Sequence, residues 1–438
     1  MVPHLSEQNG LLPPDNGKAN INHVAIGTGR SIVSMLDEPA GHHTSMVELF
    51  SDLAVAVSVS FLGYGIIDNH SADAKVWLSF WLRIFFLHSI WTSGIIMTNI
   101  GNVLTRTGLK VAHHGGIFGF LVLLAVFIKA CQRDDTITVV TMYLLARGLA
   151  AGAVVLHGLF PCPDWMDPAR HARIKQAAYL MPVAIILDCG PLAIALIYFA
   201  GKDLAVLWTG LATVALGIAL RIGLADKLEM FCDRGDGVDN CTTDSAHIKE
   251  RLEYMVLVLI GQIFLAATTS AEDYLGSISS VAAIATAIGC FILYFTAHVS
   301  RESDTLSLAP RAYVHSQQLH LLLFCAIPTM AVAFAQIILV DEDSLYWLET
   351  NAFVYHHPQT LLSIAVAVFL VTIADLEDLS ADPLEATPRV SKQWRVKFIM
   401  LMGVLVGSLS HFYDNAMLMA AISTLFAAFV QLAFVQLL

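Results

Sequence analysis

Two stretches of this chain place acids and a guanidinium where an apolar helix should carry neither. Glu48 and Asp52 stand four residues apart in E-L-F-S-D-L-A-V, and Arg251 and Glu253 open the run H-I-K-E-R-L-E-Y-M-V-L-V-L-I-G-Q from His247 to Gln262. At about 100° per residue, Glu48 and Asp52 face the same way, Arg251, Met255, Leu259 and Gln262 share one face, and His247, Glu250 and Tyr254 line the next. Ionisable groups at membrane depth are expensive, so each marks a functional hypothesis. Asp188, flanked by I-I-L and C-G-P with no local cation, is a third such acid. Unpaired in a span it favours its neutral form and could donate a proton.

Plainer readings stand beside these. His247 to Glu253 also reads as the solvated start of a helix capped by Asp244 or Ser245. Asp52 also reads as half of a structural ion pair with Arg83, Arg147 or Arg221, and Asp188 as a satisfied polar contact between helices. His88 and His157 are single histidines in apolar helices and read as packing or hydrogen-bonding groups rather than ligands. His113-His114 and His356-His357 fall at helix ends, and His411 and Asp414 read as a polar turn. Asp375, Glu377 and Asp378 read as the boundary of a span.

Several chemistries are excluded. The chain has no G-x-x-x-x-G-K-[ST], no G-x-S-x-G and no H-E-x-x-H, and Asp134-Asp135 is not followed by the acid of D-D-x-x-D. Seven cysteines show no C-x-x-C spacing, so neither a zinc site nor a disulfide framework is indicated. These residues require no metal and no cofactor. A net charge of −12 argues against nucleic acid and against a polybasic membrane-surface patch.

The elements that must position these groups are transmembrane helices. With 56% hydrophobic and 14% charged residues in 438, the chain belongs in a bilayer. Apolar runs near 47–67, 77–98, 111–129, 137–159, 176–199, 204–222, 252–270, 278–299, 319–340, 360–376, 397–412 and 415–438 give twelve spans. Under that scheme the loops sharing a side with both termini carry fifteen lysines and arginines, from Arg106 and Lys110 to Arg395 and Lys397. The opposite loops carry four: Lys75, Lys129, Arg133 and Lys202. The positive-inside tendency then puts both termini in the cytosol. The expected fold is an all-α polytopic bundle. A polar, disordered cytosolic tail covers 1–45, and the helical domain 46–438 divides into halves 46–225 and 246–438 around an acidic loop.

The run His247 to Gln262 resembles the H-x-x-E-R-F-G-L-F…L-G-E segment of the low-temperature-requirement A (LtrA) family of polytopic membrane proteins. Glu48 to Val55 resembles that family's E-L-F-F-D-L-V-F, and Ala312-Tyr313-Val314-His315 resembles its later Y-x-x-H. The three matches keep their order over roughly residues 46 to 340. The chain departs from the pattern at Ser51, where the family has an aromatic, at Gln262, where L-G-E has its glutamate, and at Asn99 to Leu104, where N-R-F-D-T-D-D has lost its acids.

Some fungal membrane-bound terpene cyclases look like this family. That likeness implies a metal-independent enzyme of the isomerase or lyase class, in an endomembrane such as the endoplasmic reticulum. It would cyclise a lipophilic prenylated, meroterpenoid-type substrate within the bilayer by protonation, in secondary metabolism. Asp52, Glu48, Asp188, Glu253 and Arg251 would then form the acid machinery, and His247, Tyr254, Gln262, Trp91 and Phe50 would line the substrate; Trp77 and Trp81 are further aromatics for a carbocation. The alternative is a transporter or channel for a small solute or ion. The twelve-span scheme carries its own test: reporter fusions at Met1 and Leu438 should both give a cytosolic signal, whereas opposite signals would require an odd number of spans.

Overall fold

Each apolar run that the structure describes becomes a helix, because a segment in hydrocarbon must satisfy its own backbone groups. The computed structural model describes residues 46–67, 74–106, 110–159, 189–194, 245–269, 278–296, 310–342, 352–379, 396–403 and 416–436, residue 405, and isolated positions between 168 and 216. Its helices are α1 (Met46–Ile67), α2 (Ala74–Arg106), α3 (Lys110–Gln132), α4 (Thr136–Leu159), α5 (Ser245–Thr269), α6 (Ile278–Tyr294), α7 (Pro310–Glu342), α8 (Ala352–Leu379) and α9 (Ala416–Gln436). No strand occurs among the described residues. The 1–45 tail, Asp188, Arg221, the acidic loop before Ser245, and His411 with Asp414 lie outside them.

Five stretches among the described residues are long and apolar enough to cross a membrane: Gly115–Gln132, Thr136–Leu156, Glu250–Thr268, His315–Ile338 and Pro358–Glu377. The expected spans at 47–67 and 77–98 are helical, as α1 and α2, and those at 176–199, 204–222, 278–299, 397–412 and 415–438 fall wholly or partly outside the described residues. The central helix is α7. In its apolar stretch 89% of residues are buried, against 33% in that of α3, and it packs against α1, α2, α5, α6 and α8.

Side-chain contacts fix the sense of several helices. Asp52 and Ala56 of α1 meet Arg251 and Gln262 of α5 in ascending order, so those two helices run the same way. Phe86 and Ser93 of α2 meet Tyr143 and Arg147 of α4 likewise. By contrast, Trp81 and Trp91 of α2 meet Thr329 and Phe324 of α7 in descending order, so α2 opposes α7. Pro328 removes one N–H from the interior of α7. Beside it the Thr329 hydroxyl donates back to the Cys325 carbonyl at 2.7 Å and accepts the Trp81 indole N–H at 3.0 Å.

The acids Asp134 and Asp135 serve the turn between α3 and α4. Arg83 of α2 donates to the Cys131 carbonyl at the end of α3 (3.0 Å) and to Asp134 Oδ1 (2.5 Å). Asp134 itself adopts the left-handed conformation, φ 54°. Asp135 caps α4, accepting the Thr138 N–H at 3.1 Å and its hydroxyl at 2.5 Å. Those bonds from Thr138, the hydroxyl's first, hold the Asp135 carboxyl below its ordinary value. The cap's contribution is therefore present at neutral pH and lost as pH falls through the carboxylate range.

Between α6 and α9 the backbones touch. A Cβ on Gly289 would lie 2.8 Å from the Thr424 backbone carbon. Helices in lipid associate through such close packing of small residues rather than through a hydrophobic drive. The neighbouring Thr286 and Thr424 hydroxyls bond to their own helices at Ala282 (2.8 Å) and Ala420 (2.7 Å). Gly289→Ala should therefore cost about 1–3 kcal/mol by overpacking. Thermal unfolding of the purified protein in detergent measures it, and an unchanged melting temperature would show that α6 and α9 can part without loss.

Candidate functional site

The inward face of α5 is built as its spacing requires: Arg251, Met255, Leu259 and Gln262 are all buried. Opposite them on α1 lie Glu48, Ser51, Asp52 and Ala56, buried as well. Arg251 is 1% exposed and Asp52 4%. The guanidinium grips the carboxylate with two N–H groups, Nε to Oδ2 at 2.9 Å and Nη2 to Oδ1 at 2.5 Å. Such a planar fork is specific to arginine and adds geometry to charge. The Trp91 indole of α2 donates to the same Oδ1 at 2.7 Å. Asp52 therefore accepts three N–H donors from two helices, and both of its oxygens act as acceptors.

Ser51 completes the cluster. Its hydroxyl donates to the Glu48 carbonyl at 2.7 Å and accepts from Arg251 Nη2 at 3.4 Å. An aromatic residue, the usual occupant in the resembled pattern, has no oxygen to offer Arg251 here. Ala56 lies one turn beyond Asp52 on α1 and Gln262 about three turns beyond Arg251 on α5, and the Gln262 amide donates to the Ala56 carbonyl at 2.7 Å. A carboxylate at 262 has no proton for that bond, so the change to glutamine suits a fixed tie between α1 and α5.

Aromatic rings close the other side. His88 lies 5.1 Å from Phe324 and 5.7 Å from Trp91, and Trp91 stacks on Phe324 at 6.0 Å. The histidine thus takes the packing role its apolar setting suggests. Phe324, on the central helix, had no signal in the sequence beyond being one of many aromatics.

The residues marked by the sequence do not all come together. Asp52, Arg251, Trp91, Gln262 and Glu48 converge on the α1–α5 seam. Glu253 and Tyr254 are half-buried on neighbouring faces of α5, and the Tyr254 hydroxyl donates to Glu250 at 3.3 Å, along the same helix. Phe50 is 59% exposed, turned from Asp52 by two residues of helix, so it does not join the cluster. Asp188 lies outside the described residues, and His247 is placed in the first turn of α5 with its side chain outside them. Neither Arg83 nor Arg147 pairs with Asp52. Arg83 holds the α3–α4 turn, and Arg147 donates to Ser93 at 3.4 Å.

Two buried features had not been anticipated. Glu377, which sequence alone makes a span boundary, is 0% exposed in α8. Tyr294 and His320 form a buried hydrogen-bonded pair between α6 and α7. Among the described residues no group of three or more His, Cys, Asp or Glu could hold a metal ion.

These helices and the buried charges between them define a polytopic all-helical membrane protein. The family model for the bacterial low temperature requirement A protein (LtrA) matches residues 43–436, and the chain belongs to that family. No curated protein and no solved structure matches the chain.

Taking one partner from a buried ion pair leaves an uncompensated charge and costs about 3–5 kcal/mol, whereas removing both together costs far less. Asp52→Asn and Arg251→Met should each destabilise strongly, and the double variant should be more stable than the worse single. Denaturation of all four proteins in one detergent completes the cycle. Strictly additive losses would mean that the two side chains do not depend on each other.

Proposed function

We propose that this LtrA-family protein is a membrane transporter for a small solute or ion, with the Asp52–Arg251 pair on its pathway. The observation that carries this reading is the bidentate pair itself, buried between α1 and α5. Intramembrane charges that face the bundle interior and pair with one another mark substrate and ion routes. An ion pair joining helices far apart in sequence is also a contact that a moving bundle can break and remake.

The enzyme reading, cyclisation of a prenylated substrate by protonation, needs a carboxylic acid with a proton to give. Asp52 is engaged at both oxygens by three N–H donors, the arrangement of a carboxylate used as an acceptor. Trp91, the nearest aromatic available to a carbocation, is tied to Asp52 and stacked on Phe324. A cyclase would have to draw its proton from another group, and its foremost candidate is engaged in holding helices together.

Vesicles containing the full chain test the two readings side by side. With a pH-sensitive dye inside and a panel of sugars, amino acids and monovalent ions outside, the protein should produce flux above empty vesicles. Asp52→Asn, checked for folding and insertion, should reduce that flux to the empty-vesicle level. If intact protein moves nothing in the panel yet converts a prenylated epoxide or terminal olefin to a cyclic product, the transport reading is wrong and the cyclase takes its place.

A further inference from the structure

The Tyr294–His320 pair is a second polar centre in the bundle, outside the Asp52–Arg251 seam. Both side chains are buried, and Tyr294 Oη lies 3.1 Å from His320 Nε2. His320 Nδ1 lies 2.7 Å from the Ser316 carbonyl, one turn earlier in α7. A carbonyl only accepts, so Nδ1 carries the ring proton; neutral His320 then has Nε2 as an acceptor, and the Tyr294 hydroxyl donates to it. The pair is thus set with its one open proton-binding nitrogen against a hydroxyl that can reverse its role. A proton on Nε2 would make the imidazolium a donor to Oη and release the tyrosine O–H toward a different acceptor.

The surroundings supply both a counter-charge and a link to the first site. Glu253 of α5 is near enough to act electrostatically on Tyr294, and it is half-buried where Tyr294 is fully buried. It lies two residues beyond Arg251 on α5. On α7, Phe324 follows His320 by one turn and stacks on Trp91, the donor to Asp52. Trp91, Asp52 and Arg251 thus join α2, α1 and α5, and His320 stands one turn from the ring that stacks on Trp91. The other charged or titratable groups on helices packed against α7 include Glu48 of α1, Arg83 and His88 of α2, Glu250 and Tyr254 of α5, Cys290 of α6 and, on α8, the buried Glu377 and half-buried Asp375.

We propose that His320 and Tyr294 form a proton-binding site, with Glu253 as its counter-charge, and that its occupancy is coupled to the Asp52–Arg251 seam. The coupling rests on the transport reading above; the proton site itself does not. Loading adds one proton at His320 Nε2 and reverses the Tyr294–His320 hydrogen bond, with no bond broken elsewhere and no electron transferred.

Nitrogen-15 spectra of the imidazole-labelled full chain in lipid nanodiscs test it. The chain has 17 histidines, so the His320 signal is taken as the one missing from His320→Gln. It should be the Nδ1–H tautomer at high pH and convert to imidazolium as pH falls within the range where the protein stays folded. Glu253→Gln should change the pH of that conversion, and Tyr294→Phe should keep the signal but lose the hydrogen-bond shift at Nε2. A His320 that stays neutral wherever the protein remains folded overturns the site, as does a conversion indifferent to Glu253. In the vesicle assay, flux should vary with pH in the wild type and lose that variation in His320→Gln. If the wild type carries no flux while His320 titrates, the transport reading falls and the proton site stands; if flux in His320→Gln keeps the wild-type pH profile, the coupling is wrong.

Discussion

A guanidinium and a carboxylate buried together in an apolar bundle constrain everything around them. Their mutual attraction is strong at low dielectric, but so is the penalty for stripping water from each, and only close geometry with further hydrogen bonds balances the two. The seam between α1 and α5 supplies that geometry. The arginine fork meets both oxygens of Asp52, the Trp91 indole fills a remaining lone pair, and Ser51 serves the outer edge of the guanidinium. Arg251 stands at the second residue of the apolar stretch of α5. The pair therefore lies toward one end of that span rather than at its middle, where the desolvation penalty would be greatest.

Because Asp52 is held from α2 as well as α5, displacement of any one of these three helices disturbs the other two. The central helix joins them, since Phe324 of α7 stacks on the ring that bonds Asp52. This arrangement transmits a change in one side chain through discrete contacts rather than through a continuous deformation. The E-L-F-S-D-L and H-I-K-E-R-L segments, about two hundred residues apart, are the two halves of one clasp.

The clasp was legible in the sequence because helical periodicity says which residues share a face, and an acid and a base facing inward in lipid must find partners. The sequence sets Asp52 on one helix face and Arg251 on another, and the two side chains meet. Periodicity does not say what stands across an interface. Arg83 was as good a partner for Asp52 on paper as Arg251, yet it lies at the far end of α2's contact with α3 and holds the turn there. Glu377 reads as a boundary acid because it ends an apolar run, but burial depends on which helices cover it. Tyr294 and His320 meet across two helices, 26 residues apart, with no local spacing to announce the pair. Phe50 is near Asp52 only along the chain; two residues of helix carry it to the outer surface.

The account turns on Asp52 serving as a paired carboxylate acceptor rather than as an acid. Isotope-edited infrared spectroscopy of the intact protein in lipid, with the Asp52→Asn variant subtracted to isolate that one side chain, observes this directly. The geometry predicts the symmetric and antisymmetric stretches of an ionised carboxylate at neutral pH, perturbed by the arginine fork and lost together in the variant. A carboxylic acid C=O stretch assigned to Asp52 at neutral pH would contradict it, and would return that residue to the position of proton donor.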